Sequence, residues 1–166
     1  MNNKKTIRNS IIAVALLALT LLLCACAPGQ EDGDNTQPLC LSYREVNVTV
    51  GAPIEELLNA LGEDYTMEEA ASCAGIGKDY IYTYPSLRIY VFAPEGGVAV
   101  VTSACYTDDG AAHKGVTIGS GADAVVAALG QPDEKTDSRI TYKADGVTLT
   151  FTLRDGAVSA VVLSEE

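Results

Sequence analysis

Apolar residues recur along this chain in two rhythms. They fall at Ile54, Leu57, Leu58 and Leu61, and again at Ala122, Val125, Val126 and Leu129. The i, i+3, i+4, i+7 spacing gathers each set on one stripe of a 3.6-residue turn and predicts two short amphipathic helices. Gly62 and Gly130 follow the last stripe residues, where a left-handed backbone closes a helix without a Cβ clash. Pro53 stands at the start of the first helix, where its missing N–H costs nothing. Elsewhere the alternation has period two and marks strands: about Leu39–Val50, Tyr80–Tyr84, Leu87–Ala93, Val98–Cys105, Ile140–Tyr142, Val147–Leu153 and Ala157–Leu163.

The two helices belong to a longer repetition. VTVGAPIEELLNALG, Val48–Gly62, lies on VTIGSGADAVVAALG, Val116–Gly130, without a gap at an interval of 68 residues. Gly115, Gly119 and Gly121 before the second helix suggest a phosphate cradle. The earlier copy has Pro53 in place of Gly121, and neither copy has a phosphate-contacting lysine, so these glycines read as hinges. Aligning Leu87 with Val147 shortens the interval to 60, which puts eight additional residues in the first copy, around Glu63–Asp79. The fold expected is α+β: two tandem repeats, 39–106 and 107–166, each a short helix packed on an antiparallel β-sheet.

Turn geometry predicts the faces of the strands. A two-residue loop at Pro85-Ser86 pairs Tyr84 with Leu87, Tyr82 with Ile89 and Tyr80 with Val91. In the second copy Ile140 and Tyr142 take the positions of Tyr82 and Tyr84, opposite Leu149 and Val147. That reads Tyr82 and Tyr84 as core with their hydroxyls at the rim. Asp155-Gly156 is a type I′ hairpin signal and sets Leu153, Phe151 and Leu149 against Val158, Ala160 and Val162. The opposite face of the first sheet then carries Ile81, Thr83, Arg88, Tyr90, Phe92, Val101 and Cys105. The equivalent face of the second carries Thr148, Thr150, Thr152, Ser159 and Val161. If this face is open to solvent, Ile81, Arg88, Tyr90, Phe92 and Val101 form the candidate binding patch; if a lobe or the N-terminal strand packs over it, they are core.

Residues 1–25 read as a signal peptide: Lys4, Lys5 and Arg8, then an apolar run from Ile11 to Cys24 that is shorter than the roughly 20 residues a spanning helix needs. Leu23-Cys24-Ala25-Cys26 resembles the bacterial lipobox, which implies that Cys26 becomes the lipidated first residue of the mature chain. More than one acyl chain makes such an anchor stable. Residues 26–38 continue as a polar tether. Its Glu31, Asp32 and Asp34 lack the glycine and closing glutamate of a calcium loop. Three of the 11 basic residues and none of the 22 acidic ones lie in the first 25 positions, so the remainder carries a net −14. That charge opposes nucleic acid and anionic lipid as direct ligands and favours cationic partners.

Candidate chemistry is sparse. Asp108, Asp109 and His113 could begin a metal site, but they sit in the turn-rich connection Thr107–Gly115 and read as an exposed loop. A carboxylate-dependent hydrolase would need two acids in one cleft, whereas Asp64, Asp108, Asp109 and Asp123 fall on turns or exposed helix positions. No enzyme, cofactor or metal is expected. Cys40, Cys73 and Cys105 allow three pairings; Cys73–Cys105 is favoured because the additional segment returns to the sheet near the strand that ends at Cys105.

A strand and helix with the pattern iG…V…lG.P, followed by an antiparallel sheet with tY…L.F…dG.V..v, resembles the fold of the β-lactamase-inhibitor protein and of the SmpA/OmlA outer-membrane assembly lipoproteins. The first copy also resembles uncharacterised lipoproteins of clostridia-like bacteria in Ser72-Cys73-Ala74, Gly77-Lys78-Asp79, Tyr80–Tyr84, Thr107-Asp108-Asp109 and Gly115. The resemblance covers about residues 46–163 and implies protein binding through a sheet face. The expectation is a lipid-anchored, extracytoplasmic, non-enzymatic module that binds an envelope protein or peptide. A purely structural envelope component is the alternative.

Overall fold

The computed structural model describes residues 38–73 and 75–166, so the expected signal peptide, Cys26 and nearly all of the expected tether lie outside the described residues. Two short strands come first, β1 (Leu41–Tyr43) and β2 (Val46–Val48), then helix α1 (Ile54–Leu61). Four strands follow: β3 (Thr66–Ala71), β4 (Gly77–Thr83), β5 (Leu87–Pro94) and β6 (Val100–Tyr106). Helix α2 (Ala122–Leu129) precedes β7 (Glu134–Lys135), β8 (Arg139–Ala144), β9 (Val147–Arg154) and β10 (Ala157–Glu165).

The architecture corrects the α+β expectation. Strands β3-β4-β5-β6-β10-β9-β8-β7 form one eight-stranded antiparallel sheet, and the protein is mostly β rather than a pair of helix-on-sheet repeats. The halves meet where β6 pairs with β10, Cys105 opposite Val162 and Ser103 opposite Ser164. Each half-sheet taken alone would end at that strand with a row of unpaired N–H and C=O groups, and joining the two rows satisfies both. Eight-residue helices are too short to define separate layers.

What does recur is a set of bonds within the single sheet. Gly51 N donates to Val101 O (2.8 Å) as Gly119 N does to Val158 O (2.7 Å), and Ile54 N to Ala99 O (3.0 Å) as Ala122 N does to Gly156 O (3.1 Å). After each helix a tyrosine hydroxyl closes the C-terminus: Tyr84 donates to Gly62 O and Tyr142 to Gly130 O, both at 3.0 Å. Gly62 and Gly130 take φ of 81° and 86°, which residues with a Cβ rarely adopt.

Leu39–Val50 is not one strand but a hairpin. Arg44 and Glu45, at φ 50° and 66°, turn it back so that Leu41 pairs with Val48. The hairpin, the helices and the connection Thr107–Val116 cover one face of the sheet. There Leu41, Tyr43, Val48, Ile54, Leu57 and Leu61 bury against Tyr84, Ile89, Val101, Tyr106, Phe151 and Val161, among others. In α2 only Val125 is buried, and Ala122, Val126 and Leu129 pack at the margin.

Two bulges set which residues face that core. Tyr90 pairs with Ser103 but Val91 with Val101, skipping Thr102; Thr152 pairs with Ala160 but Leu153 with Val158, skipping Ser159. One extra residue reverses the alternation beyond it. Val161 and Leu163, rather than Ala160 and Val162, therefore oppose Phe151 and Leu149. The Tyr84–Leu87 turn is as expected, with Tyr84 N bonded to Leu87 O at 2.8 Å and Tyr82 opposite Ile89. In the second half Ile140 lies opposite Phe151 and Tyr142 opposite Leu149. Tyr142 is thus two residues further from its hairpin turn than Val147 would have placed it, and Leu87 corresponds to Leu149.

Candidate functional site

The face turned away from the core carries most of the anticipated patch. Ile81 lies opposite Tyr90, Phe92 opposite Asp79, and Arg88 opposite Thr83 on one side and Cys105 on the other. Ile81, Arg88, Tyr90 and Phe92 are all half-exposed. Arg88 lies low on the sheet with its Nε sealed from water, and its hydrogen bond to Tyr90 holds the guanidinium above its usual range. Val101 does not belong to this set. The bulge at Thr102 turns Val101 into the core, where it is 0% exposed. On the same face of the second half lie Thr148, Thr150 and Thr152, together with Ala160 and Val162 rather than Ser159 and Val161.

The anticipated disulfide is absent: Cys40, Cys73 and Cys105 are free thiols. Cys105 is level with Arg88, Thr83 and Thr66, whereas Cys73 lies beyond Ala71 and Lys78 at the far end of the β3–β4 hairpin. At about 3.4 Å per residue that is roughly 20 Å along the strand, well outside the reach of a disulfide. Burial pushes the Cys105 and Cys40 thiols up, away from the reactive thiolate.

His113 is likewise not in an exposed loop. It is 5% exposed, with Nδ1 3.2 Å from Ser42 Oγ beneath the β1–β2 hairpin. Burial, with the charge of Lys114 adding to it, pushes its pKa down to about 4. Ser42 Oγ donates to Asn47 Oδ1 (3.0 Å), and Asp108 accepts from Gly110 N (2.8 Å) to close a turn. The remaining acids are dispersed: Asp64 pairs with Arg44 at 2.8 Å, and the exposed Asp123 lies 3.9 Å from Lys135. Among the described residues no three His, Cys, Asp or Glu side chains converge on a metal position.

A concavity that periodicity did not foresee lies between α1 and the sheet. It encloses about 470 Å³ and is lined by Ile54, Leu58, Tyr80, Tyr82 and Val98, with Glu55 and Glu56 on the helix side. It exists because nine residues separate Val91 from Val101, whereas four separate Leu153 from Val158. The signal available in the sequence was the longer β5–β6 connection, Glu95–Ala99, compared with the tight Asp155-Gly156 turn.

No protein-family model matches the chain, and no curated protein matches it. Among solved structures, it is similar to an extracellular protein containing an SCP domain from Bacillus anthracis str. Ames, at 13% identity and a TM-score of 0.39. The match covers 70% of this chain and 44% of that one, so the chain spans less than half of that protein. A likeness of this size transfers neither fold nor activity.

Proposed function

We propose that this protein is a non-enzymatic binding module, held on the outer side of the membrane by a lipidated Cys26, that captures an envelope protein or peptide on the free face of β4 and β5. The observation that carries this reading is the asymmetry of the sheet face turned away from the core: half-exposed Ile81, Arg88, Tyr90 and Phe92 in the first half, and Thr148, Thr150 and Thr152 with the smaller Ala160 and Val162 in the second. Half-exposed aromatic rings beside an arginine are the side chains that most often anchor a protein interface. Among the described residues, β8, β9 and β10 place no aromatic side chain on that half of the face. A signal peptide and the lipobox-like Leu23-Cys24-Ala25-Cys26 support the location.

The test is photo-crosslinking in intact cells from position 90, with Tyr90→Ser/Phe92→Ser and Thr150→Ser/Thr152→Ser as paired variants probed from Ile81. A specific partner lost only with the first pair supports the reading. Capture that is equal in both variants removes this face as the site, and capture of no partner favours a purely structural envelope component.

A further inference from the structure

We propose that the groove between α1 and the β4–β5 end of the sheet is a second binding site, which takes a lysine or arginine side chain carried on an apolar peptide segment. Its floor offers the rings of Tyr80 and Tyr82, with centroids 6.3 Å apart, and Tyr80 is half-exposed. A cation over a tyrosine face is attracted by the ring quadrupole. Ile54 and Leu58 form the apolar wall, and Val98, 65% exposed, forms an open lip. Glu55 and Glu56 stand exposed at the mouth, and neither is among the ion pairs found in the described residues. A volume of about 470 Å³ suits two or three residues of a peptide, and the net −14 beyond the signal peptide repels anionic alternatives.

The second half keeps the same frame but has neither the aromatic floor nor the lip. Tyr82 and Tyr84 correspond to Ile140 and Tyr142, so Tyr80 corresponds to Ser138, whose carbonyl accepts from Leu153 N at 2.8 Å. The place of the long β5–β6 connection is taken by the Asp155-Gly156 turn. Aromatic floor and raised lip therefore occur together in one half only, on the opposite side of the sheet from Tyr90 and Phe92. An apolar pocket with acidic groups at its rim fits a peptide that is both basic and apolar better than it fits a free polyamine, which would leave Ile54, Leu58 and Val98 uncovered.

The full mature chain in nanodiscs would be titrated by calorimetry with acetyl-Val-Lys-Val-amide and with the same peptide bearing glutamine or glutamate in the middle. Saturable binding of the lysine peptide, about tenfold weaker for glutamine and lost for glutamate, is expected. Tyr80→Ser, or Glu55→Gln with Glu56→Gln, should weaken it about tenfold with the protein still folded at the temperature of the titration. Tyr90→Ser/Phe92→Ser should bind the peptide like wild type, so this site stands or falls apart from the sheet face. Equal affinity for the three peptides, unchanged affinity in the groove variants, or no saturation by about 10 mM lysine peptide with the protein still folded would each overturn the proposal.

Discussion

Lowering the pH should destabilise this protein through one side chain, His113. Its ring is 5% exposed and burial pushes its pKa to about 4, against about 6.5 in an unfolded chain. Because the folded value is depressed, the stabilisation is present above pH 6.5, where the ring is neutral in both states. It is lost as the pH falls toward 4, since the unfolded chain takes up the proton first. The gap of about 2.5 units corresponds to about 3 kcal/mol at most, with about 2 kcal/mol already gone at pH 5. That is on the order of 10 °C in Tm for a domain of this size. The groups facing the ring do not offset the cost: Ser42 offers only a hydroxyl, and Lys114 repels a second positive charge. The chain has a single histidine, so its ring proton resonance can be followed through a pH titration without ambiguity. His113→Asn, which keeps a donor near the position of Nδ1, supplies the control for carboxylate effects in urea melts at pH 7 and pH 5. A ring that titrates near 6.5, or a His113→Asn variant that loses as much stability on acidification as wild type, would refute the reasoning.

Further outcomes follow from the sheet. Phe151 is 0% exposed and set against Tyr142 edge to face, so Phe151→Ala should cost about 3–5 kcal/mol in chemical denaturation; a variant that unfolds at the wild-type midpoint would mean the register is wrong. Tyr84→Phe and Tyr142→Phe each remove one hydroxyl bond to a helix-closing glycine while keeping the ring, for about 1 kcal/mol apiece. Since the two bonds are in separate halves, the losses in the double variant should add, as a thermodynamic cycle would show. Strand β3 is an edge with all six residues exposed, guarded by Glu68 and Glu69, of which Glu69 also binds Lys78. Replacing both glutamates by threonine should produce concentration-dependent association beyond that of wild type in analytical ultracentrifugation, and a variant that sediments like wild type would place the protection elsewhere.

Local chemistry made much of this fold readable from the chain. Helical stripes at Ile54–Leu61 and Ala122–Leu129, the glycines that close them, the two-residue turns at Pro85-Ser86 and Asp155-Gly156, and the pairing of Tyr82 with Ile89 depend on residues close together in sequence. Of the anticipated patch, Ile81, Arg88, Tyr90 and Phe92 share a face because alternation along β4 and β5 is unbroken. Beyond such stretches, tertiary pairing decided the outcome. Val101 went to the core because β6 gains a bulge where it meets β5, and a run such as Ala160-Val161-Val162 is apolar in either register. The acidic TMEEAA segment became an edge strand because β4 offered it a partner, not because its own composition favours a strand. Cys73 and Cys105 were separated by the length of a hairpin, and His113 was buried by a β-hairpin 71 residues before it in the chain. Periodicity reports which residues are apolar and at what spacing. Which backbone edge joins which, where an extra residue is absorbed and which loop rises into a lip are fixed only when distant strands satisfy each other's hydrogen bonds.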